Sequence, residues 1–252
     1  MLTTQVAVID KLAFGGSGVC RIDGKVCFVP FSCPGDEVRL KITTRKKSYC
    51  TAEIVEIISP SSSRTLPFCP IFGTCGGCNW QHISYPFQLE QKRQIFADTF
   101  WRGARVEGEL IGELVAAPFS YGYRSRIQFK VSVHHGKLRI GFFRHGSHSV
   151  VDAVEGCPVA VPRINEFLKS LRAVLAGYSE LEAISQISVD AGERGVVAII
   201  HCNGQNLKRI SSFLIDRLPD LNSCHSLFLQ TGQNSVPVRL WGDSNILSLI
   251  HI

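Results

Sequence analysis

At 252 residues, 45% of them hydrophobic and 19% charged, the chain is long enough for two or more small cores and has the composition of an ordinary globular protein. It has no run of eighteen apolar residues that would make a membrane helix, and its first ten residues lack the basic and long apolar regions of a secretory signal. Ten cysteines without an export signal point to a reducing, cytoplasmic setting, where thiols bind metals or sit buried. The net charge of +6 is mild, and its distribution says more than its size.

Residues 1–58 read as short strands between glycine turns: Val6–Ile9, Gly18–Ile22, Lys25–Val29, Asp36–Ile42 and Thr51–Ile58. Asp23-Gly24 is a two-residue hairpin signal, and Pro34-Gly35 marks another turn. Five strands in so short a span predict a small OB-like β-barrel of the kind that binds oligonucleotides. Its loop sets Arg45, Lys46 and Lys47 beside Tyr49, and residues 60–67 read as a linker. Further on, Tyr85–Trp101 is expected to be helical. Arg126–Val133 and Leu138–Phe143 read as strands joined through His135-Gly136, and Val161–Leu175 as an amphipathic helix stopped at Gly177. Ile184–Val189 and Gly195–His201 suggest another hairpin, Leu207–Leu218 a helix and Ser226–Leu240 strand. The expected class is α+β: a barrel over 1–60, a cluster-binding segment over 61–90 and a mixed α/β central domain over 91–246.

Cys69, Cys75 and Cys78 lie within ten residues, and Cys157-Pro158 stands far downstream. Thiolates this close repel one another unless they share a metal or form disulfides, and the reducing setting disfavours disulfides. The spacing C-x5-C-x2-C with a distant fourth cysteine suits a 4Fe–4S cluster better than a single ion. A zinc site stays open, with Cys69, Cys75 and Cys78 joined by Cys157 or His82. Gly76 and Gly77 let the backbone pass close to the sulfurs. Cys20 and Cys27 fall on apolar strands, and Cys33, Cys50, Cys202 and Cys224 lack partners at ligand spacing, so these six read as packing residues. His82 has either a place beside the cluster or a surface or capping role.

From Pro118 to Val151 there are six Lys or Arg residues and no Asp or Glu. Tyr121, Tyr123, Phe129, Phe142 and Phe143 are interleaved with them. Cations meeting phosphates while unstacked bases lie on rings is the pattern single-stranded nucleic acid requires. The candidate RNA contacts are Arg45, Lys46 and Lys47 in the barrel loop, and Arg124, Arg126, Gln128 and Lys130 in the basic stretch.

These residues together resemble the TrmA/RumA-type RNA (uracil-5-)-methyltransferases, in the branch with an N-terminal TRAM domain and an iron–sulfur cluster that acts on 23S rRNA. The resemblance rests on Gly15–Val19, Val26–Pro30, Pro34–Val38 and Lys46–Tyr49. It rests also on the cysteine block with Gln81 and His82, on Cys157-Pro158, and on Gly122–Arg126 with Ile140–Phe143. It implies S-adenosylmethionine-dependent methylation of uridine C5 in ribosomal RNA, in a single-stranded or loop region, by a monomer with no membrane association. In that reaction a cysteine thiolate adds to C6, C5 takes the methyl group, and a base removes the C5 proton. The resemblance also implies that Cys69, Cys75, Cys78 and Cys157 hold the cluster.

The family's cofactor site, nucleophile and base belong to a C-terminal doubly wound domain, and this sequence carries no matching glycine-rich segment. The expectation is that the methyltransferase domain is absent, so no catalytic or cofactor-binding residue is assigned and the chain alone transfers no methyl group. Residues 247–252 read as a non-native tail. Phe96, Phe100 and Trp101 would then lack a partner surface. The rival readings are a stand-alone RNA-binding module with an iron–sulfur or zinc centre and no catalysis, and a zinc-ribbon-like interaction protein.

Overall fold

The computed structural model describes residues 4–204, 207–232 and 235–243, and the expected tail at 247–252 lies outside them. The chain divides into two compact units. One holds the described residues through Gly73 together with Cys78–Pro118; the other holds Thr74–Gly77 and the described residues from Phe119 onward.

The first unit is built on six strands: β1 (Thr4–Val8), β2 (Lys11–Leu12), β3 (Gly18–Ile22), β4 (Lys25–Val29), β5 (Glu37–Arg45) and β6 (Tyr49–Ser59). They lie in the order β1-β5-β6-β4-β3-β2. This corrects the expected five. The extra strand, β2, is two residues long and too short to show an alternating pattern, yet Lys11 and Leu12 pair with Val19 and Gly18. The Ile9 N–H bonds Asp36 O (2.9 Å) and the Asp10 N–H bonds Val19 O (2.8 Å), which joins the two edges of the sheet. Alternate residues point inward, so Ile9, Ile22, Val29, Val38, Leu40 and Ala52 form the core. Cys20, Cys27 and Cys50 lie there too, side by side across β3, β4 and β6. Asp23 and Gly24 both have positive φ (50° and 74°), the turn geometry that suits the twist of a tight hairpin.

Residues 60–67 are more than a linker. Asp36 is fully buried and accepts from Arg64 Nε and Nη2, both at 2.7 Å, and from the Cys33 N–H (2.6 Å) and the Ser61 N–H (2.9 Å). Burial opposes its ionisation, but the Arg64 fork and the two backbone donors outweigh it and hold the carboxyl below the usual range. Helix α1 (Tyr85–Ala104) opens with a proline in its first turn and contributes Phe87 and Ile95 to a second small core with Leu12, Cys33 and Ile83. Lys11 Nζ on β2 pairs with Asp98 Oδ2 on α1 at 2.6 Å.

The second unit is a seven-stranded sheet in the order β13-β12-β11-β10-β7-β8-β9. Its strands are β7 (Arg126–His134), β8 (Lys137–Phe143), β9 (Val150–Asp152), β10 (Ile184–Gly192), β11 (Gly195–Cys202), β12 (Cys224–Thr231) and β13 (Val238–Trp241). Among its described residues only β11 and β12 run parallel, joined through α3 (Lys208–Asp216). Helix α2 (Pro162–Leu175) buries Ile164, Phe167, Leu168, Leu171, Val174 and Leu175, a stripe at helical spacing. With Ile210 and Leu214 of α3, it packs against Ile127, Phe129, Val131, Ile187, Val189, Ala198 and Ile200. Arg172 locks α2 to the sheet by donating to Asp152 Oδ1 (2.7 Å) and Ile140 O (3.0 Å).

Candidate nucleic-acid interface

The basic residues named from sequence sit in two settings. In the first unit Arg45, Lys46 and Lys47 form the exposed turn between β5 and β6, closed by a bond from the Lys46 N–H to Tyr49 O (2.8 Å). Arg45 Nη1 is drawn to Asp23 Oδ2 at 3.3 Å, while Lys46 and Lys47 extend into solvent. Tyr49 packs edge-on against Phe28, with ring centroids 5.8 Å apart.

In the second unit the strand period sorts the basic stretch. Ile127, Phe129 and Val131 face the helices, which puts Arg126, Gln128 and Lys130 on the outer face of β7. Arg126 is held by Asp190 of β10 through a fork of three contacts at 2.7–2.8 Å. Lys130 Nζ donates to Gln186 Oε1. Arg124 is exposed just before β7, its backbone tied to Val159 O and to the Val161 N–H. Of the aromatics, Phe142 packs on Phe129 in the core (5.3 Å) and Phe143 faces outward beside His148 (5.3 Å).

Three further residues, beyond those the sequence points to, lie on the same outer face: Gln186 and Ser188 of β10 and His201 of β11. Ser188 Oγ and His201 Nε2 are 2.8 Å apart, and Gln186 Nε2 donates to Ser188 Oγ at 3.2 Å. Burial, with Lys130 adding repulsion, holds the His201 imidazole below its ordinary pKa. The signal for these positions lay in the polar alternation Gln186, Ser188, Asp190 along an otherwise apolar strand.

The four candidate ligand cysteines divide between the units, with Cys69 and Cys78 in the first and Cys75 and Cys157 in the second. Burial, with the neighbouring Cys78 contributing, raises the Cys69 thiol. The Cys69 N–H bonds Gln81 Oε1 at 3.1 Å. The turn Thr74–Gly77 bridges residues 143–145, Cys75 standing opposite Arg144, through the bonds Gly76 N–H to Phe143 O (2.9 Å) and His145 N–H to Thr74 O (3.0 Å). A Cβ on Gly76 would stand 3.1 Å from Phe143 O, so glycine permits this approach. The Gly77 N–H points at Cys75 Sγ (3.4 Å), the kind of donor that stabilises a metal-bound sulfur. Asn165 clamps Cys157 at both backbone groups, accepting its N–H (2.9 Å) and donating to its carbonyl (3.0 Å). Gly156 before it has φ of 89°, and a Cβ there would meet Asn165 Oδ1 at 2.7 Å. Among the described residues, no group of three or more His, Cys, Asp or Glu side chains stands close enough to hold a metal ion.

The remaining cysteines behave as packing residues. Burial pushes Cys20, Cys202 and Cys224 each up to about 11, and Cys27 higher still, so these thiols stay protonated and inert. His82 is not a surface residue: it is 3% exposed, with its Nε2 3.2 Å from Ser32 O and its ring against Phe72. Burial, aided by Arg64, lowers its pKa to about 4 despite the opposing pull of Ser32 O and Asp36.

Residues 6–63 match the family model described as the TRAM domain of tRNA (uracil(54)-C(5))-methyltransferase. A 23S rRNA (uracil(1939)-C(5))-methyltransferase, RlmD, of Bordetella parapertussis is 35% identical over 197 residues, which is 78% of this chain and 42% of that protein. An uncharacterised RNA methyltransferase of Synechocystis sp. is 29% identical over 95% of this chain and 54% of its own length. The chain is thus similar in sequence to RNA methyltransferases, among them one named for uracil C5. It spans about half the length of these curated relatives.

The crystal structure of Pyrococcus abyssi tRNA (uracil-54, C5)-methyltransferase, in complex with S-adenosyl-L-homocysteine, superposes with a TM-score of 0.64 and 24% identity. The likeness covers 94% of this chain and 54% of that one. This overturns the expectation that the methyltransferase fold is absent from the chain. Nearly all of it shares the fold of a methyltransferase chain. No helix among the described residues is long and apolar enough to cross a membrane.

Proposed function

We propose that this protein takes part in S-adenosylmethionine-dependent methylation of uridine C5 in RNA, with ribosomal RNA as the substrate class. The observation that carries the reading is the match to a uracil-C5 methyltransferase TRAM domain at residues 6–63, continued by likeness to an rRNA methyltransferase over 78% of the chain. Two sets of cations support RNA as the partner. Lys46 and Lys47 stand in solvent at a loop tip, and Arg124, Arg126 and Lys130 share one stretch of the second unit, with the neutral amide of Gln128 between them. The loop cations meet phosphates as point charges, while those on the strand are oriented by hydrogen bonds before any ligand arrives.

The test is transfer of labelled methyl from S-adenosylmethionine to 23S rRNA and to tRNA, followed by nucleoside analysis for 5-methyluridine. Label in 23S rRNA supports the reading. Label confined to tRNA shifts the substrate, and failure to bind either RNA at any salt concentration overturns the reading.

The thiols of Cys69, Cys75, Cys78 and Cys157 are proposed as ligands of a 4Fe–4S cluster. Support comes from their spacing, the Gly77 N–H on Cys75 Sγ and the two-sided hold of Asn165 on Cys157. A bound cluster would supply four thiolate bonds that tie distant parts of the sequence together, a structural role. Iron, acid-labile sulfide and visible absorption in anaerobically purified protein are the expected results. Colourless protein containing stoichiometric zinc would replace the cluster with a zinc site.

A further inference from the structure

A hydrogen-bonded row crosses three strands on the outer face of the second unit's sheet. It runs from Lys130 on β7 to Gln186 and Ser188 on β10, and on to His201 on β11. The pairing register places Gln186 opposite Lys130 on one side and opposite His201 on the other. All four side chains are half-buried, and none contributes to the core that α2 and α3 cover. Phe143 of β8 is 37% exposed, and the Lys130 ammonium lies 5.4 Å from its ring centroid.

The chemistry of this face suits one class of ligand. Strands β7, β8 and β10 carry Arg126, Lys130 and Arg139, and their one acidic residue, Asp190, is already held by Arg126. A polyanion is therefore favoured over an acidic-residue-seeking partner. A neutral imidazole, a hydroxyl and an amide offer a fixed pattern of donors and acceptors rather than charge. Groups that hold one another in place reach a ligand with little ordering left to do. A sheet face is flat and wide, so it accepts splayed bases, whereas A-form duplex hides its base edges in a deep, narrow groove.

We propose that this face is a shelf for unpaired bases of single-stranded RNA. Phe143 stacks one base, and the row Lys130–Gln186–Ser188–His201 reads the edge of a neighbouring one. The inference rests on the RNA reading above and narrows it to one surface.

The experiment uses the full chain, a uridine-rich single-stranded RNA carrying 4-thiouridine, and the same RNA annealed to its complement. Photocrosslinks are expected on β8, β10 or β11. Phe143→Ala and His201→Ala should each weaken single-strand binding about fivefold or more, the size of one lost base stack or edge contact. Duplex affinity should stay as it was. Crosslinks confined to the first unit, with both variants binding like wild type while Lys46→Ala binds more weakly, would sink the shelf and leave RNA binding standing. Equal loss for duplex and single strand would also sink it, and failure of the wild type to bind either RNA would sink both readings. Thermal melts show whether a variant is still folded; if one is not, the wild-type crosslink map decides.

Discussion

Arg64–Asp36 in the first unit and Arg126–Asp190 in the second, which also holds the Arg172–Asp152 pair, are arginine–aspartate forks that serve opposite ends. In the first, Arg64 is 18% exposed and Asp36 is fully buried, with two backbone N–H groups also spent on the carboxylate. In the second, Arg126 and Asp190 are 45% and 35% exposed and bond across neighbouring strands. Geometry is nearly the same, with closest contacts of 2.7 Å in both. Burial makes the difference: water screens the outer pair, so exchanging Asp190 for a phosphate would cost Arg126 little, while the inner pair is shielded from solvent and Arg64 Nη2 donates to Phe31 O (3.0 Å) as well.

The sharpest way to break that contrast is Asp36→Ala, which strands a largely buried guanidinium and two N–H groups. A loss of about 3–5 kcal/mol is expected in chemical denaturation. A loss below 1 kcal/mol would mean that the burial contrast is unimportant. His82, packed near the inner fork, extends the comparison to pH. Its folded pKa of about 4 lies below the ordinary 6.5, so the unfolded chain takes up the proton first. The preference for the neutral ring is complete above about pH 6.5 and is lost as pH falls to about 4, a change of about 3 kcal/mol. Asp36 adds loss in the same direction at still lower pH. Denaturation midpoints across pH 4–7 measure the effect, and His82→Gln should flatten the slope.

The outer fork predicts a gain. Asp190→Asn removes the competitor of phosphate, so RNA should bind more tightly, with a salt dependence steeper by about one phosphate contact. Lys46→Ala should do the reverse, flattening the salt slope by about one contact. The smallest effect is on stability, where Arg126→Ala should cost about 0–1 kcal/mol, because an exposed pair contributes little.

What could be read from sequence depended on how local the cause was. The turns at Asp23-Gly24 and His135-Gly136 were legible because both residues of each adopt positive φ, which their side chains tolerate. Helix α2 was legible from its apolar stripe and the glycine beyond its end. The facing of Phe142 and Phe143 was not, since adjacent strand residues point to opposite faces and a list of aromatics ignores that. Residues 60–67 looked like a linker because the partner of Arg64 stands 28 positions away. Likewise the fork of Arg126 needs Asp190, 64 positions on, and only strand pairing brings the two together. Cysteine spacing advertised a ligand set, but the clamp of Asn165 on Cys157 depends on a helix that starts after the motif has ended.

The second unit is discontinuous, borrowing Thr74–Gly77 from the middle of the first unit's sequence. A gene swap at a single breakpoint therefore cannot exchange one unit between relatives intact. A cut before Phe119 would carry away Phe143 O and the His145 N–H while leaving behind Gly76 and Thr74, the groups that satisfy them. Recombination among such genes should accordingly favour exchanges that keep residues 74–77 and 143–145 from one parent, and chimeras that split them should be recovered poorly.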